Sequence, residues 1–209
     1  QPQPVSPRLL IPLLEKSSWV DPKEIDLIDA WASLLASAAI KPNPNHGIAI
    51  DVLSKIDVAH VKLLDWISNK EGEDPFEDAF LNVSEQAASE AIQALFKKFP
   101  SDNIDDEIVS ELEENIQGIL DVPGVFLTSG GINHGDDYYE LFGRYNMPNF
   151  SQTIPDALVS LNILREIYIE RFWPTPDCEI WVHYYVVTAF GAEFINACAS
   201  SKSMESREA

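Results

Sequence analysis

The sequence has only two cysteines, Cys178 and Cys198, in 209 residues. Two thiols cannot build a disulfide framework, and their spacing matches no metal-ligand pattern, so a reducing cytoplasm suits the chain. Cations are scarce as well: 14 Lys and Arg stand against 34 Asp and Glu, a formal net charge of -20. That excess repels polyanions, so nucleic acid and anionic lipid are not expected as partners. No apolar run approaches the roughly 18 residues of a membrane-spanning helix, so membrane insertion by residues 1–209 is not expected either. The start, QPQPVSP, shows no signal-peptide pattern and is read either as the start of a processed product or as a chain trimmed at a Pro-rich linker. Walker, dinucleotide, HExxH, paired CxxC and GxSxG patterns are all missing. No catalytic residue, cofactor or metal ligand is therefore assigned, and the protein is read as non-enzymatic.

What is present is helical periodicity, beginning with Ser6 as a cap, Pro7 at the first helical position, and Leu9, Leu10, Leu13 and Leu14 on one face. A second helix opens on Asp21, Pro22 and Glu24, a capping box. Ile28, Trp31, Leu35 and Ala38 follow at intervals of three and four, with Leu27 and Leu34 widening the stripe. KPNPN then ends it, because Pro42 and Pro44 remove backbone donors. A third helix is expected over 48–54, a fourth behind Asp57, a cap signature at Asp74–Pro75–Glu77, and a further helix from Ser84 to Phe96.

Asp102 to Glu114 carries seven acidic residues, and no Lys or Arg stands between Lys98 and Arg144. Ile104, Ile108, Leu112, Ile116 and Ile119 keep a helical stripe through this acid, which predicts an amphipathic helix with a solvated acidic face. The next stretch, 121–150, is rich in Gly, Pro, Asn and Asp and is read as an irregular connector.

From Ile154 to Cys198 the pattern is helix, strand, turn, strand, helix, the order of a winged helix. Asn162 falls at the end of the first of these helices, where a left-handed residue is needed and Asn serves next best after Gly. Residues 167–172 and 180–187 are the two wing strands, Pro174 and Pro176 hold the tip, and Thr188 caps the closing helix. The fold class expected is mainly α, more fully α+β. A helical bundle over 1–120 and the connector 121–150 precede a winged-helix-like unit over 151–199 with a two-stranded hairpin, and 200–209 is a tail.

The loop Asn133, His134, Asp136 and Asp137, with Tyr138, Tyr139 and Glu140 behind it, is the one cluster in which a hydrated metal could activate water. It supports an alternative reading as a metal-dependent hydrolase or nuclease. His46 is placed in a turn, and His60 three residues after its cap Asp57 is explained by a local hydrogen bond. His183 on an apolar strand is read as structural, and Cys198 as a small core residue. A transcriptional regulator is the other alternative. Against it, the helix from Ser151 to Leu164 has no cation, and residues 151–209 hold four basic against eight acidic side chains.

The LVSLNIL and VTAFGAEFINAC segments resemble the DNLxRLGLI and LTxFGxxFxxAC blocks of the abortive-infection alpha family, a bacterial group. PRLLIPLLEKSSW, DAWASLLASAA and LSKIDVAHVKLLDWI resemble its N-terminal helices in the same order. Trp31, Leu34 and Leu35 match the bundle helix, Leu158 and Leu161 the helix before the hairpin, and Thr188, Phe190, Gly191 and Phe194 the closing helix. Asn162 stands where the family usually has Gly, and Ser160 where it has Arg. The resemblance implies phage defence without agreed catalytic residues. The absence of catalytic motifs beside a helical and winged architecture adds the expectation that the chain acts through contacts with a protein partner or by self-association.

Overall fold

The computed structural model describes residues 4–70, 106–120, 125–134, 137–141, 151, 153–172 and 178–198. The signature at Asp74–Glu77, the helix expected over 84–96, the tip prolines and the tail lie outside the described residues. The chain divides into two compact units: 1–72, 150–163 and 190–209 form the first, and 73–149 with 164–189 the second.

The first unit is helical. Helix α1 (Pro7–Ser17) starts as expected, with the Ser6 carbonyl accepting from the N–H groups of Leu9 and Leu10 at 2.9 Å each. Helix α2 (Ile25–Ile40) starts later than its cap signal suggests, because Asp21 and Glu24 close a turn ahead of it. Lys23 N–H donates to Asp21 Oδ1 at 2.9 Å and Asp21 N–H to Glu24 Oε2 at 3.3 Å. The buried stripe of α2 is Leu27, Ala30, Trp31, Leu34 and Ala38, whereas Ile28 is 40% exposed. Helices α3 (His46–Leu53) and α4 (Val58–Lys70) follow, and α2 packs against α1, α3 and α4.

Helix α6 (Thr153–Ser160) and α7 (Ala189–Cys198) complete this unit apart from Ala189, and α6 packs on α4. The end of α6 is a Schellman turn. Ile163 N–H reaches back to the Leu158 carbonyl and Asn162 N–H to the Val159 carbonyl, each at 2.9 Å. Asn162 takes the left-handed conformation this turn requires, at φ 59°. Leu158 and Ile163, at its two ends, are both fully buried.

The second unit holds α5 (Asp106–Leu120) and a four-stranded sheet built from β1 (Val125–His134), β2 (Asp137–Leu141), β3 (Leu164–Phe172) and β4 (Cys178–Val187). Helix α5 is amphipathic as expected: Leu112 and Ile116 are buried, while Glu107, Glu111 and Glu114 face water. The strand order is β2-β1-β4-β3, antiparallel throughout.

This order corrects two expectations. The stretch 121–150 is not an irregular connector, since it supplies β1 and β2. The β3–β4 hairpin is not a two-stranded wing, since the other edge of β4 takes β1 from Val125↔Val186 to His134↔Cys178. Two adjacent glycines, Gly130 and Gly131, hid β1 from a reading by propensity, because glycine inside a strand is costly unless something needs the space.

Candidate interaction surface

Alternation along the strands sorts the sheet into two faces. Ile132, Leu141, Ile167, Ile180, Val182 and Tyr184 share the buried face, none more than 3% exposed. The register gathers a different set on the other face. Strand β2 brings Tyr138 and Glu140, and β1 brings Ser129, Gly131 and Asn133. Strand β4 brings Glu179, Trp181, His183 and Tyr185, and β3 brings Glu166 and Tyr168. No Lys or Arg occupies any of these positions.

The rings on this face touch. Tyr168 and Trp181 stack with centroids 6.2 Å apart and planes at 23°. His183 lies 6.5 Å from Tyr168 and stands edge-on to Tyr185 at 5.2 Å. Tyr185 is buried, whereas Tyr138 and Tyr168 are each 56% exposed, so the face runs from a covered end to an open one. Gly131 explains how a tyrosine and a tryptophan meet. A Cβ there would sit 2.8 Å from Tyr138 Cε2 and 2.9 Å from Trp181 Nε1, so only a glycine leaves the rings their place.

Carboxylates border the rings. His183 Nε2 lies 2.8 Å from Glu166 Oε1, and that glutamate remains half exposed. Asn133 Nδ2 donates to Glu179 Oε2 at 3.1 Å, fixing a second carboxylate across the β1–β4 pair.

The loop on which the alternative metal-dependent reading rests is distributed differently. His134 ends β1 and Asp137 starts β2, directly opposite each other, with Asp137 exposed and Asp136 outside the described residues. Among the described residues no three His, Cys, Asp or Glu side chains converge as a metal site. Tyr138 and Glu140 belong instead to the aromatic face.

The remaining candidates have structural positions. His60 Nδ1 donates to Asp57 Oδ1 at 2.7 Å, and the N–H groups of Ala59 and His60 reach the same oxygen at 2.9 and 3.2 Å. Burial pushes the Asp57 carboxyl up, but these bonds outweigh it and hold its pKa below the ordinary value. The local account of His60 therefore stands. Burial, reinforced by the nearby negative charge of Asp65, raises the Cys198 thiol far above its usual range, so it is not a nucleophile at neutral pH.

The first unit contains a polar cluster that sequence reading missed. His46 is not in an exposed turn: it opens α3 and is only 4% exposed. Its Nδ1 accepts from Asn43 N–H at 3.1 Å, which puts the ring proton on Nε2, 3.2 Å from Ser37 Oγ. Histidine is thus the donor to serine, the reverse of a general base activating a nucleophile. Burial holds the His46 pKa below 6.5, against the opposing effect of the Asn43 backbone bond. Beside it, Asn45 Nδ2 donates to Glu193 Oε2 at 2.6 Å and Asn43 Nδ2 to the same oxygen at 3.4 Å, tying the start of α3 to α7. A groove of about 220 Å³ lies here, lined by Lys41, Phe190 and Asn196 among others. Asn43 and Asn45 carry the only local signal, as residues that bond their own backbone, and Glu193 is too distant in sequence to be paired with them.

Fold and surface together define a class: an α+β protein whose antiparallel sheet presents an aromatic, acidic face. No helix among the described residues is long and apolar enough to cross a membrane. Residues 1–198 match the family described as abortive infection alpha, and the chain belongs to that family. No curated protein and no solved structure matches the chain.

Proposed function

We propose that this chain serves phage defence by abortive infection as a non-enzymatic cytoplasmic protein that works through protein–protein contacts, and that the open face of its sheet makes them. The observation that carries this reading is the pair of half-exposed tyrosines flanking Trp181 on a face without Lys or Arg. Aromatic side chains are enriched where proteins meet because each buries much area at little entropic cost, and clustered exposed ones mark contact sites. The partner is another protein or a second copy of the chain.

A plaque assay tests this. The chain is expressed in a sensitive bacterial host and challenged with a broad phage panel, beside a Tyr138→Ala/Tyr168→Ala variant shown by circular dichroism to be folded. The expected outcome is reduced plaquing with the wild-type chain and full plaquing with the variant. Unreduced plaquing with the wild type across the panel, or equal protection by both, sinks the reading.

A further inference from the structure

We propose that the open sheet face recognises an arginine-bearing segment of a partner protein, an inference that rests on the contact reading above and names its chemistry. Three glutamates, Glu140, Glu166 and Glu179, share the face with Tyr138, Tyr168 and Trp181, and no Lys or Arg stands among them. A face of aromatic rings with carboxylates beside them and no Lys or Arg is complementary to a cation that can both stack on a ring and donate to a carboxylate.

Arginine fits this better than lysine. Its planar guanidinium stacks on an aromatic plane while its N–H fork addresses a carboxylate at the ring's edge. The nearly parallel Tyr168 and Trp181 rings, 23° apart, give such a plane, and the half-exposed carboxylate of Glu166 borders it. A second copy of this chain is a poor occupant, because a chain of net charge -20 would set like charges together. Single-stranded nucleic acid, which also stacks on aromatic platforms, is repelled by the same three glutamates.

The probe is a fluorescein-labelled decapeptide of alternating Arg and Gly, titrated into the full chain by fluorescence anisotropy. A Lys–Gly decapeptide and an oligo-dT decamer are run beside it. The Arg peptide is expected to bind more tightly than the Lys peptide, to weaken as salt is raised, and to be untouched by competing oligo-dT. Tyr168→Ala and Glu166→Gln should each weaken it by about fivefold. The control is Glu107→Gln/Glu111→Gln, which neutralises two exposed carboxylates on α5, outside the strands that make this face, and should leave binding within about twofold. Absence of binding, equal loss in the α5 control, or displacement by oligo-dT overturns the proposal. If the Arg peptide fails while Tyr138→Ala/Tyr168→Ala still abolishes protection, the cation chemistry falls and the contact reading stands. If the peptide binds as described but those variants still protect, the binding chemistry is supported and the contact reading falls.

Discussion

The two units use glycine for opposite purposes. In the helical unit, Gly191 on α7 meets backbone: a Cβ there would lie 2.1 Å from the Ile163 carbonyl oxygen and 2.9 Å from its carbon. In the sheet unit, Gly131 meets only the far ends of the Tyr138 and Trp181 side chains. Main chain pressed on main chain cannot yield without moving a helix, whereas an exposed tyrosine can swing aside. The helical unit is therefore the rigid half of this contrast, and the sheet unit keeps its adjustable part on its surface. His46 and its partners in the first unit are satisfied internally, while the carboxylates of the second line an open face.

The sharpest break in that contrast is Gly191→Ala, which should cost about 3 kcal/mol or more, since overpacking against fixed backbone has no cheap relief. Urea denaturation measures it, and a loss below 1 kcal/mol (roughly a shifted rotamer's worth) would show that α7 can slide off Ile163. His46→Gln comes next. It leaves the Asn43 N–H without its acceptor and should cost about 1–2 kcal/mol in the same measurement.

The pH dependence of stability isolates the same residue. The folded-state pKa of His46 lies below 6.5, so the unfolded chain binds more protons in that range. Its contribution is fully present above pH 6.5 and is lost as pH falls toward and through the folded-state value. In His46→Gln the corresponding limb of the stability curve should flatten, and an unchanged limb would assign it to other groups.

Asn162→Val forces a β-branched residue to φ 59° and should cost about 1–2 kcal/mol, whereas Asn162→Gly should be neutral or slightly stabilising. Thermal melts of the two variants decide this, and equal melting temperatures would mean the turn relaxes. Gly131→Ala should be the mildest, about 1 kcal/mol, because the Tyr138 ring is exposed and can swing aside. Its diagnostic is a change in Trp181 fluorescence with little loss of stability, the reverse of Gly191→Ala.

Much of the helical unit was legible because capping residues and periodicity act locally. Asn162 is the clearest instance, since the need for a left-handed residue could be read from its position in LVSLNIL. The limits were equally local in origin. Asp21 and Glu24 form their reciprocal bonds one turn before α2, so the signal was right and the boundary was not. β1 was missed because the reason for Gly131 lies in Tyr138 and Trp181, on two other strands, which no window along the chain contains. The aromatic face escaped notice for the same reason: its rings come from separate strands, and only the β2-β1-β4-β3 register brings them together. His46 was misplaced because Asn-Pro-Asn looks like any solvent-exposed turn until the groups that cover it are known.

The close approach of Gly191 to Ile163 also bears on the order of assembly. The chain leaves the helical unit after Ile163 and rejoins it at Phe190, and residues 164–189 are spent on an excursion that includes β3 and β4. Closing a loop of this length costs entropy that grows with the logarithm of its size. Pairing Leu164 with Val187 at the base of the hairpin reduces that loop to a few residues of slack. A zipped hairpin thus delivers Gly191 to Ile163 almost without further search, so this close approach is made cheap by strands that belong to the other unit.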